Sequence, residues 1–178
     1  MDWYPGARRL LSPHKDARPD GVTPDLLVLH NISLPPNQPG AEAISDFFLG
    51  QLDTGSHPWF ARLHGVRVSA HFLVCRDGEI RQFVPLQERA WHAGKSTFLG
   101  RENLNDNSIG IELEGADHMP FSAAQYQALA MLCRWLLAEL ALPADRITGH
   151  ETIAPMRKTD PGAGFDWLTF YHTLESSS

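Results

Sequence analysis

The chain has 178 residues, 43% of them hydrophobic and 20% charged, which suits one globular domain with its own core and excludes a disordered or fibrous chain. The 15 Lys and Arg against 21 Asp and Glu leave a formal charge of −6, which argues against a nucleic-acid partner, because such affinity comes mainly from cations set against phosphates. No apolar run approaches the roughly 18 residues of a membrane span, and no basic stretch followed by an apolar one opens the chain, so a soluble, cytoplasmic protein without a membrane partner is expected.

Residues 1–24 carry prolines and scattered charges without periodicity and read as an irregular lead-in packed on a domain spanning 25–175. Leu26-Leu27-Val28-Leu29 is a continuous apolar run ending at His30, the mark of a buried strand. The stretch 34–40 is loop, since its prolines remove donors and its glycine frees the backbone. From Ala41 to Leu49 a short helix would put Ile44, Phe47 and Phe48 on one face, and the turn-rich 50–65 winds over the surface. Arg67 to Val74 and Glu79 to Val84 read as strands joined by Cys75-Arg76-Asp77-Gly78, where the Asp-Gly pair signals a hairpin.

Ser108 to Glu114 alternates, with Ile109, Ile111 and Leu113 facing one way and Gly110, Glu112 and Glu114 the other. Ser122-Ala123-Ala124-Gln125 has the form of a capping box before a helix that runs to about Leu140 and is stopped by Pro143. Arg146-Ile147-Thr148 is a short strand delivering Gly149-His150, and Asp166 to about Leu174 forms a last helix before the serines 176–178. Helices interleaved with strands and at least one hairpin predict a mixed α and β fold, a single domain with a central mixed sheet flanked by helices. Cys75 and Cys133 lie in apolar stretches and read as free buried thiols of a reducing compartment.

Nine histidines invite a search for chemistry. His30 and His150 both end strands, where side chains converge above a sheet, and Asp160 follows ten residues after His150. Two imidazoles and a carboxylate, with a fourth position left to water, make a catalytic zinc set. The spacing is not a local motif, however, and it equally allows three capping or hydrogen-bonded polar residues. Glu112 alone reads as easily as part of a solvated sheet face, and Lys158 as an exposed loop charge. His71 and His92 are rival metal ligands.

The words around these residues narrow the choice. Val28-Leu29-His30-Asn31-Ile32-Ser33-Leu34-Pro35-Pro36, Val68-Ser69-Ala70-His71-Phe72, Ala90-Trp91-His92-Ala93-Gly94, Ser108-Ile109-Gly110-Ile111-Glu112-Leu113-Glu114-Gly115, Thr148-Gly149-His150 and Ile153-Ala154-Pro155-Met156-Arg157-Lys158-Thr159-Asp160-Pro161-Gly162 occur in that order. Together, from about Pro13 to Trp167, they resemble the zinc amidase family that includes phage-type amidases and animal peptidoglycan-recognition proteins.

The resemblance implies one zinc per chain held by His30, His150 and Asp160, with Glu112 and Lys158 as the catalytic pair. It implies hydrolysis of the amide between N-acetylmuramic acid, preferably its 1,6-anhydro form, and the L-alanine of a stem peptide. That activity belongs to peptidoglycan recycling and, where the circuit exists, to control of β-lactamase induction. Glu112 would move a proton from water to the departing amine, and Lys158 would meet the negative charge of the tetrahedral intermediate. The partner would be a soluble anhydromuropeptide, met by a monomer. Asn31 would donate an amide hydrogen bond to the peptide, Trp91 and His92 would line the cleft, and Arg67 and Arg101 would clamp the peptide carboxylates. Asn103 and Asn107 depart from the basic and aromatic residues usual in the family. A wall-lytic amidase and a non-catalytic muropeptide receptor are the alternatives on the same fold.

Overall fold

The computed structural model describes residues 2–176, so Met1 of the lead-in and the last two serines of the terminal run lie outside the described residues. In chain order stand β1 (Arg8–Arg9), β2 (Lys15–Ala17), β3 (Leu26–Ile32), α1 (Ala41–Phe48), β4 (Phe72–Val74), β5 (Ile80–Gln82), β6 (Glu88–Ala90), β7 (Thr97–Phe98), β8 (Arg101–Glu102), β9 (Ser108–Glu114), α2 (Ala123–Glu139), β10 (Ile147–Gly149), α3 (His150–Ile153) and α4 (Trp167–Ser176). Six strands make one sheet in the order β1-β5-β4-β9-β3-β10. β9 pairs parallel with β3 and β4, and β3 parallel with β10, whereas β4 and β5 are antiparallel. The sheet is mixed, as expected.

Each element has a local cause. The β4–β5 hairpin turns at Gly78, whose φ of +90° a side chain would strain. Ser122 Oγ accepts the Gln125 N–H and Gln125 Oε1 accepts the Ser122 N–H, both at 3.1 Å, closing the capping box of α2. Leu27 and Leu29 of β3 and Ile109, Ile111 and Leu113 of β9 face Leu129, Leu132, Cys133 and Leu136 of α2 and Phe170 of α4. Cys75 and Cys133 are buried and unpaired. Truncating any one of these buried leucines to alanine would cost about 2–5 kcal/mol.

On the opposite face, Ile44, Phe47 and Phe48 of α1 pack with Leu73 and Phe83, while Leu26 and Val28 pack with Ala93, Leu104 and Ile153. The polar side of β9 therefore does not meet water. All seven of its residues are buried, which overturns the reading of Glu112 as part of a solvated face. Glu114 is satisfied there: its carboxylate accepts the N–H groups of Gly40, Ala41 and Arg76 at 2.7–3.0 Å.

The lead-in is less irregular than its sequence suggests. β1 pairs parallel with β5, and β2 pairs antiparallel with β6. Both are too short and polar for any hydrophobic period to announce them. Just beyond β2, the buried Arg18 guanidinium donates to the carbonyls of Leu86, Asn105, Asp106 and Ser108 at 2.8–3.2 Å. Burial pulls its pKa down to about 10.

Candidate active site

The parallel strands β3, β9 and β10 end on one side of the sheet, where crevices in such sheets gather ligands. His30 continues the Leu26–Val28 side of β3, and the register sets it beside Glu112 of β9. Gly149 pairs with Leu29, so the next residue, His150, arrives next to His30 as α3 begins. Asp160 is brought to them by its own backbone, whose carbonyl accepts the Glu151 N–H at 2.9 Å. These residues border a cavity of about 480 Å³ with Asn31, Trp91, His92, Asp117, Arg157 and Lys158.

His30 Nδ1, His150 Nδ1 and Asp160 Oδ2 lie 2.9–3.0 Å from one another. The outer nitrogens fix where the protons are. His150 Nε2 faces the Ala93 carbonyl at 3.1 Å and donates to it, so Nδ1 is the nitrogen that can offer a lone pair. Ser108 Oγ donates to the Leu104 carbonyl and so accepts from His92 Nε2 at 3.1 Å; His92 Nδ1 then accepts from His30 Nε2 at 2.9 Å. His30 Nδ1 is left bare as well. Burial drives the His30 pKa down to about 4 and that of His92 well below its ordinary value, so both rings are neutral. Two ring nitrogens and a carboxylate oxygen thus converge at 2.9–3.0 Å, an arrangement that a cation can bridge. Two imidazole nitrogens and a carboxylate oxygen are a donor set that fits zinc.

Gly110 makes room for this relay. A Cβ there would stand 2.4 Å from Cγ of His92, so the imidazole lies directly on the glycine backbone. His71 is not a rival ligand: its Nδ1 accepts the Gly110 N–H at 3.0 Å and its Nε2 donates to the Glu88 carbonyl at 3.1 Å. His92 braces His30 from outside the three acceptors.

Glu112 is 9% exposed, and its Oε2 is buried without a hydrogen-bond partner. Burial, reinforced by the charge of Asp160 and opposed by Lys158, holds its carboxyl well above the usual range. An unsatisfied carboxylate oxygen in a cavity beside three converging donor atoms can accept a proton. Lys158 is an exposed cation on the same cavity wall.

Other expectations change. Both N–H bonds of the Asn31 amide are taken, by Asp117 Oδ1 at 2.7 Å and the Pro161 carbonyl at 3.0 Å, so Asn31 has an oxygen left to offer and no N–H for a peptide. Trp91 and His92 line the cavity. Arg67 is exposed on a separate pocket with His64 and Leu63, and Arg101 pairs with Asp25 at 2.7 Å, away from the cavity lining. Neither is placed to clamp a carboxylate in this cavity. Asp25 also accepts from Asn107 Nδ2 at 2.7 Å, so the residue that departs from the family's aromatic acts as a structural anchor. Sequence reasoning missed Asp117 and Arg157, whose partners are distant in the chain. Asp117 ties Asn31 to Thr159, and Arg157 donates to the carbonyls of Ala93 and Lys95.

Comparison with known proteins gives the chain a family. A family model described as N-acetylmuramoyl-L-alanine amidase matches residues 20–163. The 1,6-anhydro-N-acetylmuramyl-L-alanine amidase AmpD of Salmonella typhimurium strain SL1344 is 54% identical over 176 residues, 99% of this chain and 94% of that protein. A crystal structure of a selenomethionine AmpD derivative superposes with a TM-score of 0.93 at 52% identity, over 97% of this chain and 96% of that one. A complex of Escherichia coli AmiD with the substrate anhydro-N-acetylmuramic acid-L-Ala-D-gamma-Glu-L-Lys superposes with a TM-score of 0.62 at 32% identity, over 88% of this chain and 60% of that one. By the family match over most of its length and a relative of nearly equal extent, the chain belongs to the N-acetylmuramoyl-L-alanine amidase family.

Proposed function

We propose that this amidase hydrolyses the amide between 1,6-anhydro-N-acetylmuramic acid and the L-alanine of a stem peptide, with one zinc per chain held by His30, His150 and Asp160. The observation that carries the reading is the meeting of two bare imidazole nitrogens and a carboxylate oxygen beside the unpartnered Glu112 oxygen. Zinc, when bound, supplies Lewis acidity toward the scissile carbonyl and toward water. Glu112 takes the proton of the attacking water and delivers it to the nitrogen of the departing L-alanine, so the amine leaves neutral. Lys158 holds its ammonium where negative charge develops on the carbonyl oxygen. Asn31 Oδ1, fixed by Asp117, accepts an N–H of the peptide, and Trp91 offers a face to the sugar.

The substrate assignment draws on the relatives named for that activity and on the substrate bound to AmiD. The reading places a monomer in the cytoplasm, at a step of peptidoglycan recycling that uses soluble muropeptides. Among the described residues no helix is long and apolar enough to cross a membrane. The test combines metal analysis with mass identification of the products from anhydromuropeptide and from intact sacculi. Zinc uptake by the wild type, its loss in His30→Ala, His150→Ala and Asp160→Ala, and cleavage of soluble anhydromuropeptide to anhydro-N-acetylmuramic acid and free peptide are expected. Faster release from sacculi would replace this reading with a wall-lytic one.

A further inference from the structure

The outer faces of both cavity imidazoles lean on one short segment. His150 Nε2 donates to the Ala93 carbonyl at 3.1 Å, and His30 Nε2 donates to His92 Nδ1 at 2.9 Å. Residues 92 and 93 are adjacent and lie between β6 and β7, outside any strand or helix. Their backbone is fixed from elsewhere. The N–H groups of His92 and Ala93 converge on one atom, Oδ1 of Asn105, at 3.0 and 2.7 Å. Two successive N–H groups on a single oxygen pin the peptide units on either side of the His92 Cα, and with them the base of the His92 side chain and the Cα from which the Ala93 carbonyl projects.

Asn105 is itself immobilised. It sits in a single 3₁₀ turn, Leu104–Asp106, whose first N–H is taken by Ser96 Oγ at 3.0 Å. Arg18 Nη1 donates to the Asn105 carbonyl at 3.1 Å and to that of Asp106 at 2.8 Å. The side-chain oxygen that reaches residues 92 and 93 therefore projects from a turn anchored on both sides. No other side chain among the described residues is hydrogen-bonded to both of these N–H groups.

We propose that Asn105 is a positioning residue of the metal centre: through the amides of His92 and Ala93 it sets the hydrogen bonds that orient His30 and His150 and keep Nδ1 of each free to ligate. The inference rests on the metal reading given above. Outer partners of this kind govern affinity because they hold a ligating ring in one tautomer and one orientation. A loop staple with no bearing on the centre would change stability and leave the ligands alone.

The experiment measures zinc affinity by chelator competition on the folded full chain, together with the ring-nitrogen ¹⁵N shifts of the histidines in the metal-free protein. Asn105→Ala should weaken zinc binding by about 10–100-fold and mix the tautomers of His150. Asn105→Asp keeps an acceptor oxygen in the same place and should restore both affinity and tautomer. Wild-type affinity in folded Asn105→Ala overturns the proposal, and so does an Asn105→Asp variant as weak as the alanine one. Should Asn105→Ala not fold, Asn105→Gln displaces the oxygen by one methylene and carries the test, with weakened zinc expected and wild-type affinity fatal to the idea. A wild type that takes up no zinc sinks the metal reading itself, whereas equal binding by wild type and Asn105→Ala sinks this inference alone.

Discussion

Replacing Glu112 by Gln keeps the shape of the side chain and removes its basic charge, and stability and activity should then move in opposite directions. The carboxylate stands on a fully buried strand with an unpartnered Oε2, and burial raises its pKa. A buried polar atom without a partner costs about 1–3 kcal/mol, and a neutral amide relieves the part of that cost due to charge. In a domain of this size each 1 kcal/mol moves the thermal midpoint by about 2–4 °C, so the metal-free variant should melt higher by roughly 2–10 °C. Turnover should fall by about 10²–10⁴, the worth of a positioned general base. Zinc should stay bound, because Glu112 is not among the three converging ligand atoms. Calorimetry of chelated protein, metal analysis and product release at saturating substrate read the three quantities separately. Wild-type turnover with zinc bound would refute the assignment of the base. A midpoint lowered by several degrees would refute the argument that β9 holds this carboxylate against its own stability.

Lys158→Met should lower kcat by about 10²–10³ with zinc content unchanged, as expected for a cation aimed at developing charge; a loss confined to KM would make it a substrate anchor instead. His71 is buried with its pKa down to about 3, through burial first and then the Arg18 charge, below the ordinary 6.5. Unfolding therefore takes up a proton between these values. The His71 contribution is whole above about pH 6.5 and is lost by up to about 1.4 kcal/mol per pH unit as the pH falls toward 3. Denaturant titrations of wild type and His71→Gln from pH 7 to 4 should show a shallower slope in the variant, and parallel slopes would assign the loss to other groups.

What the sequence discloses is what has a local cause. The capping box at Ser122, the Asp77-Gly78 turn and the alternation of 108–114 each depend on neighbours within a few residues, and each forms as expected. The same alternation misleads about environment, because whether a polar side meets water depends on what covers it. Here α1 and the segment at 92–93 do, and neither is near β9 in the chain. Arg101 shows a second limit. An arginine suits a carboxylate clamp by its chemistry, but its partner, Asp25, lies 76 residues away and is invisible to any window. Asn31 shows a third, since its donors look free until Asp117 and the Pro161 carbonyl are in place. The two histidines and Asp160 emerge from ordered words shared with a family, not from their spacing.

Arg18 bears on what counts as the working unit of this chain. The family model matches from residue 20, and a boundary drawn from that model alone would discard everything before it. Yet the carbonyls of Leu86, Asn105, Asp106 and Ser108 all take their hydrogen bonds from that one guanidinium. Ser108 closes the relay to His30, and Asn105 carries the oxygen beneath His92 and Ala93. A chain trimmed to residues 20–163 would keep the three converging donor atoms and Glu112 while losing the cation that gathers the loops behind them. The edge of the family model and the edge of the mechanical unit thus differ here. Shortening the amino end acts on the histidine-lined cavity from its far side.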